Sequence, residues 1–101
     1  RPRLPAPGSV LRYVMGAVPV VRDGDPEVFA ALLRTLITRL AAEPHDFLLV
    51  GLHENDPLLP TVQALSARAY VTRMYLVCWE DGEPLRAELD FRPPYLELGC
   101  L

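Results

Sequence analysis

Residues 47–60 read FLLVGLHENDPLLP, and the fold turns on how this stretch is read. Phe47-Leu48-Leu49-Val50-Gly51-Leu52 is an uninterrupted apolar run too short for a helix, the pattern of a central strand covered on both faces. His53, Glu54, Asn55 and Asp56 then break the run. Pro57 through Ala67 follows with Leu58, Leu59, Val62 and Leu65 at helical spacing, and its prolines fall in or near the first turn, where they cost little. Asp56 or Asn55 is expected to cap this helix and Pro57 to open it, with His53 and Glu54 as a solvated loop pair. The stretch therefore reads strand, loop, helix.

Working outward, the same alternation recurs. Upstream, Val10 to Val21 (VLRYVMGAVPVV) is β-branched and aromatic in parts, and its internal Gly16 and Pro19 predict a strand that is bent, bulged or at an edge. Asp23-Gly24-Asp25-Pro26 is a turn in which Asp25 accepts from the free amides of the next helix and Pro26 suits its first position. Val28, Phe29, Leu32, Leu33, Leu36, Ile37 and Leu40 mark one face of a helix over 25–42, which Glu43-Pro44 ends. Downstream, Tyr70 to Glu80 (YVTRMYLVCWE) reads as a long strand, Asp81-Gly82 as a turn, and Leu85 to Phe91 fits either state. Tyr95 to Leu101, after Pro93-Pro94, reads as a closing strand. The expected class is α/β with a mixed sheet, in the order β-α-β-α-β-β, with helices packed on the sheet.

A chain of 101 residues suits one domain, here residues 10–101. The first nine residues, RPRLPAPGS, have the composition of a linker or loosely held arm. The chain begins without Met, consistent with a piece of a longer protein. A hydrophobic share of 50% and a charged share of 23% are those of a folding domain. The net charge of −3 and the lack of any Lys/Arg cluster argue against a nucleic-acid partner. No apolar run approaches the roughly 20 residues needed to span a bilayer, and no signal-peptide block opens the chain, so a cytoplasmic protein is expected. All ten basic residues other than histidine are arginine, the usage of a GC-rich, bacterial-like genome.

Catalytic constellations are sparse. His53-Glu54 lacks the second histidine of a zinc helix motif, and strand length sets His45 roughly 25 Å away, so no metal site is expected. Ser9 and Ser66 lack a nucleophile-elbow context, and Cys78 has no histidine near it in sequence. Glycine-rich nucleotide loops are missing. Cys78 and Cys100 lie in apolar, strand-like surroundings that predict buried thiols rather than a disulfide framework. Tyr70, Tyr75 and Trp79 fit cross-strand packing better than base stacking.

From Phe47 onward the chain resembles the carboxyl-terminal half of the GNAT acetyltransferase fold, on FLLVGL with His53-Glu54-Asn55, the following helix, Tyr75-Leu76-Val77-Cys78-Trp79, and Tyr95-Leu96-Glu97-Leu98. The resemblance implies acetyl-CoA as coenzyme and acyl transfer to an amine. It implies Asn55 as a coenzyme contact, with Arg22 offering a charge. The chain departs from the family's N-x-x-A-x-x-x-Y spacing, with Leu58 at the alanine position and Val62 at the tyrosine position, and a valine cannot donate a proton. Asp23 and Asp25 also stand where the family's pyrophosphate loop would meet anionic phosphates, and like charge disfavours them. The expectation is thus a degenerate acetyltransferase-like domain, or one dependent on a missing segment, with no assigned catalytic residue. The competing expectation is a noncatalytic interaction or dimerisation module pairing through Tyr70–Glu80, its partner a second copy or the rest of a larger chain.

Overall fold

The computed structural model describes residues 3–100; Arg1, Pro2 and Leu101 lie outside the described residues. Strand β1 (Tyr13–Gly16) runs parallel to β2 (Phe47–Val50), with Tyr13 beside Phe47 and Gly16 beside Val50. Helix α1 (Pro26–Leu40) connects them, as parallel neighbours require. Helices α2 (Leu59–Gln63) and α3 (Glu83–Ala87) follow, and three single 3₁₀ turns occupy Arg22–Gly24, Glu80–Gly82 and Leu98–Cys100.

The first half forms as its sequence dictates. Asp25 Oδ1 accepts the amides of Glu27 at 2.9 Å and Val28 at 3.3 Å, so the helix start is satisfied by the predicted cap, with Pro26 at the first position. The strands are fixed at their beginnings by Arg12, whose carbonyl accepts the Asp46 amide at 2.8 Å. Its guanidinium grips the Asp46 carboxylate through two bonds of 3.0 and 2.9 Å. That hydrogen-bonded pairing raises Arg12 above its ordinary pKa and lowers Asp46 below its own.

Phe29, Leu33 and Leu58 form the buried core of the described residues, and Val21, Leu48, Val50, Leu52, Val62 and Leu65 pack around it. The core thus lies where α1 and the start of α2 meet the sheet. It takes only the centre of the apolar face predicted for α1. Val28 and Leu32 on one flank and Ile37 on the other stay exposed, because no further element covers them.

Four expectations are corrected. The Val10–Val21 strand narrows to Tyr13–Gly16: Val18 adopts φ 50° and the Val20 amide bonds back to the Val18 carbonyl at 2.7 Å, turning the chain at Pro19. The helix over 57–67 shortens to Leu59–Gln63, and Ser66 at φ 60° ends the helical path. Tyr70–Glu80 forms no strand; residues 70–79 run outside regular structure, because β propensity stabilises a strand only when a neighbour receives its backbone bonds. Of the closing strand expected over Tyr95–Leu101, Tyr95–Cys100 likewise carries no ladder and ends in the Leu98–Cys100 turn, drawn in by Glu97, while Leu101 lies outside the described residues. What is observed is therefore mixed helix and strand around a two-stranded parallel sheet, in the order β-α-β-α and then short helical turns.

The chain is open for its size. Its accessible surface is 8875 Å², against about 5,700 Å² expected of a compact 11.3 kDa monomer. The radius of gyration is 16.5 Å, against about 13 Å for a compact domain of this length.

Candidate functional site

Because β1 and β2 are parallel, the loops that leave them emerge at the same edge of the sheet, the place where α/β folds present ligand-binding groups. The first loop runs over 17–25 and carries Arg22; the second runs over 51–58 and carries His53, Glu54, Asn55 and Asp56. Arg22 and Asn55 are both exposed, and no hydrogen bond or ion pair joins them among the described residues.

The HEND segment is held mainly by its own backbone. The Asn55 amide donates to His53 Nδ1 at 3.1 Å, which makes that nitrogen an acceptor. The Asp56 amide donates to the His53 carbonyl at 2.9 Å. Asp56 Oδ1 accepts the Leu58 amide at 2.8 Å, and its carbonyl accepts that of Leu59 at 3.0 Å. Asp56 thus closes a turn ahead of α2 and does not cap it. The N-cap of α2 is Leu58, with no side-chain cap, so the expected capping by Asp56 or Asn55 and the opening of the helix by Pro57 are corrected. Asn55 lends only its backbone to this turn.

The second loop meets the end of the chain. A Cβ placed on Gly51 would lie 3.3 Å from the Leu98 Cβ, so the Leu98–Cys100 turn rests directly on the end of β2. Glu97 secures this turn. Its Oε2 accepts the Val18 amide at 2.9 Å and the Tyr95 hydroxyl, and its Oε1 accepts the Gly99 amide at 3.0 Å. The Val18 bond reaches across most of the chain to a β-branched residue in the left-handed region, a conformation that costs energy and is held by its surroundings.

These bonds stabilise the Glu97 carboxylate and hold its pKa below the ordinary 4.5, the Tyr95 hydroxyl contributing most. Beside that carboxylate the Tyr95 hydroxyl is pushed up to about 12. The Glu97 contribution is therefore complete above pH 4.5 and is lost as pH falls through its lower folded value. The Tyr95 contribution is complete below pH 10.0 and is lost as pH rises toward 12. The Val18 amide resonance should hold steady between these limits and move below pH 4.5 in a two-dimensional NMR titration, and Glu97→Gln should displace it at neutral pH. A resonance indifferent to both changes contradicts the clasp.

Chemically, this edge offers little to an anionic ligand. The amino terminus of α1 is already filled by the Asp25 carboxylate, with Glu27 in its first turn. His45 and His53 lie before and after β2 respectively, and no group of three or more His, Cys, Asp or Glu among the described residues could hold a metal. An open trough lies at the other end of the sheet between Arg3, Leu4, Arg12 and Asp46, away from the loops.

Cys78 and Cys100 are free and exposed, which corrects the expectation of buried thiols. The Cys78 thiol donates to Glu83 Oε2 at 3.5 Å, and Glu83 also pairs with Arg86, the stronger of the two influences that lower its pKa. The residues around Cys78 form the most conspicuous surface of the molecule. Tyr70 is 91% exposed, Val71 89%, Val77 87% and Trp79 88%, with Tyr75 and Leu76 also in solvent. Sequence reasoning missed Glu97, because its Val18 partner is distant in the chain; it found the Tyr70–Trp79 segment but assigned it a sheet it does not join.

The first half is thus mixed helix and strand, with a small two-stranded parallel sheet whose strands are joined through α1. No protein-family model, curated protein or solved structure matches the chain.

Proposed function

We propose that the chain is a noncatalytic self-association module and that Tyr70–Trp79 is its contact segment. The observation that carries this reading is the continuous exposure of an apolar, strand-forming stretch containing Tyr70, Tyr75 and Trp79, residue types that anchor protein interfaces. Single exposed hydrophobic residues are ordinary, but a run of this length is not. The surface in excess of a compact monomer is about 3,000 Å², well above the roughly 800 Å² each partner contributes to a standard interface.

A second copy suits this segment because Arg73 is the one charge within residues 70–79. Two such segments meet without like charges opposed in any register not centred on Arg73. The net charge of −3 adds only mild repulsion between copies. The test is analytical ultracentrifugation over a wide concentration range, read together with Trp79 emission, since Trp79 is the chain's one tryptophan. Association should bury Trp79 and shift its emission to the blue as dimer forms. A strictly monomeric chain with invariant emission rejects the reading.

A second reading rests on the shared edge of the two loops: a degenerate GNAT-type domain holding acetyl-CoA through Asn55, with Arg22 supplying charge. The connectivity and the exposure of both residues support it, while the Asp25-filled helix start opposes phosphate binding there. Calorimetric titration with acetyl-CoA decides it. The reading requires binding that Asn55→Ala weakens several-fold, and it fails if millimolar acetyl-CoA produces no heat or if Asn55→Ala leaves the affinity unchanged.

A further inference from the structure

Self-association leaves open what the segment docks onto, and a second unfilled surface in the same chain supplies a receptor. β2 has ladder bonds only with β1, so the opposite edge of β2 lacks a strand neighbour among the described residues. The Leu98–Cys100 turn contacts β1 and meets the residues that follow both strands, Leu98 against Gly51 and Gly99 near Ala17. Phe47–Val50 is apolar throughout and only half-buried, although an uninterrupted run of this kind suits a strand with neighbours on both sides. A two-stranded pair is marginal by itself and gains most from a third strand.

The chain carries the missing strand and holds it apart from the sheet. Residues 51–69, with α2 within them, form a connection long enough for a crossover to a third parallel strand. Tyr70–Trp79 nevertheless lies in solvent instead of on its own β2. Its residues alternate along an extended chain, with Tyr70, Thr72, Met74, Leu76 and Cys78 on one side and Val71, Arg73, Tyr75, Val77 and Trp79 on the other, so either side offers apolar cover.

Resting on the self-association reading, we infer that the dimer forms by reciprocal strand exchange: Tyr70–Trp79 of each copy adds to the free edge of β2 in the other. Each donated strand would supply the hydrogen bonds that the exposed segment and the β2 edge both lack. The two exchanges are equivalent under a two-fold axis, so the assembly closes at two chains rather than growing into a filament. The exchange also makes the central sheet three-stranded in each half.

Disulfide trapping tests this arrangement. In a Cys78→Ser/Cys100→Ser background, a chain bearing Leu49→Cys is mixed with a chain bearing Tyr75→Cys, Leu76→Cys or Val77→Cys in turn, because strand alternation decides which of the three faces position 49. Under mild oxidation at least one mixture should give mainly the mixed disulfide dimer, exceeding both homodimers. Dimers linked only through positions 75–77 would overturn the exchange while leaving self-association intact. A disulfide that closes within one chain, seen at nanomolar concentration in a Leu49→Cys/Leu76→Cys double variant, would overturn it in favour of an intramolecular third strand. Absence of any cross-link in a background that sediments as a monomer would overturn both the exchange and the reading beneath it.

Discussion

Phe29→Ala should cost about 3–5 kcal/mol of folding stability, the range for truncating a buried aromatic residue. Small domains have only about 5–15 kcal/mol in total, and this chain has an unusually small core. Phe29 is 4% exposed and shares the described core with just Leu33 and Leu58, so the cavity has few neighbours to collapse into it. Urea unfolding followed by far-ultraviolet circular dichroism should show a midpoint displaced to very low denaturant, or no folded baseline at all. Leu32→Ala, one turn from Phe29 on α1 but more than half exposed, provides the contrast and should shift the midpoint little. Equal effects of the two substitutions would mean that the core is not where α1 meets the sheet and Leu58.

The second large effect concerns association rather than folding. Leu76→Pro removes a backbone donor from the middle of Tyr70–Trp79 and fixes the local φ, which interrupts any ladder the segment joins. In the isolated chain residue 76 makes no ladder bond, so the fold of the monomer should be unaffected. Each of the two copies leaves one ladder partner unpaired at about 1–3 kcal/mol, so the dimer loses about 2–6 kcal/mol, or roughly 30-fold or more in its Kd by sedimentation. The circular dichroism spectrum and urea midpoint of dilute protein should match the parent. An unchanged Kd would remove the segment from the interface, and lost folding at low concentration would show that the segment already supports the monomer.

These two variants divide the chain where its sequence and its structure divide. The first half was legible in detail because its signals are local. The Asp25 cap, Pro26 and the apolar spacing over 28–40 act within a few residues of one another, and they give α1 almost the predicted length. The run at 47–52 announced a strand, though among the described residues β2 has a neighbour on one side only and is half-buried rather than central. The helix between it and the β-branched stretch at 10–21 pointed to the parallel pairing that is observed. The bonds of Asp56 are equally local, confined to Leu58 and Leu59, but they close a turn and leave α2 without the side-chain cap its sequence suggested. At the candidate edge Arg22 and Asn55 lie on the loops that follow β1 and β2, and the sequence offered no sign of Glu97 there.

The second half was not legible, for one physical reason. A strand, unlike a helix, receives its hydrogen bonds from residues remote in sequence, so aromatic and β-branched composition shows readiness for a sheet and not membership of one. The sequence by itself determined α1, the parallel pair, the Asp25 cap and the strand-forming character of Tyr70–Trp79. Only the tertiary structure decided that, among the described residues, this segment joins no strand and lies in solvent, that the free edge of β2 lacks a neighbour, and that Glu97 draws the Leu98–Cys100 turn onto Val18 and Gly51. Each depends on which distant backbone groups find partners, a property of the folded chain as a whole.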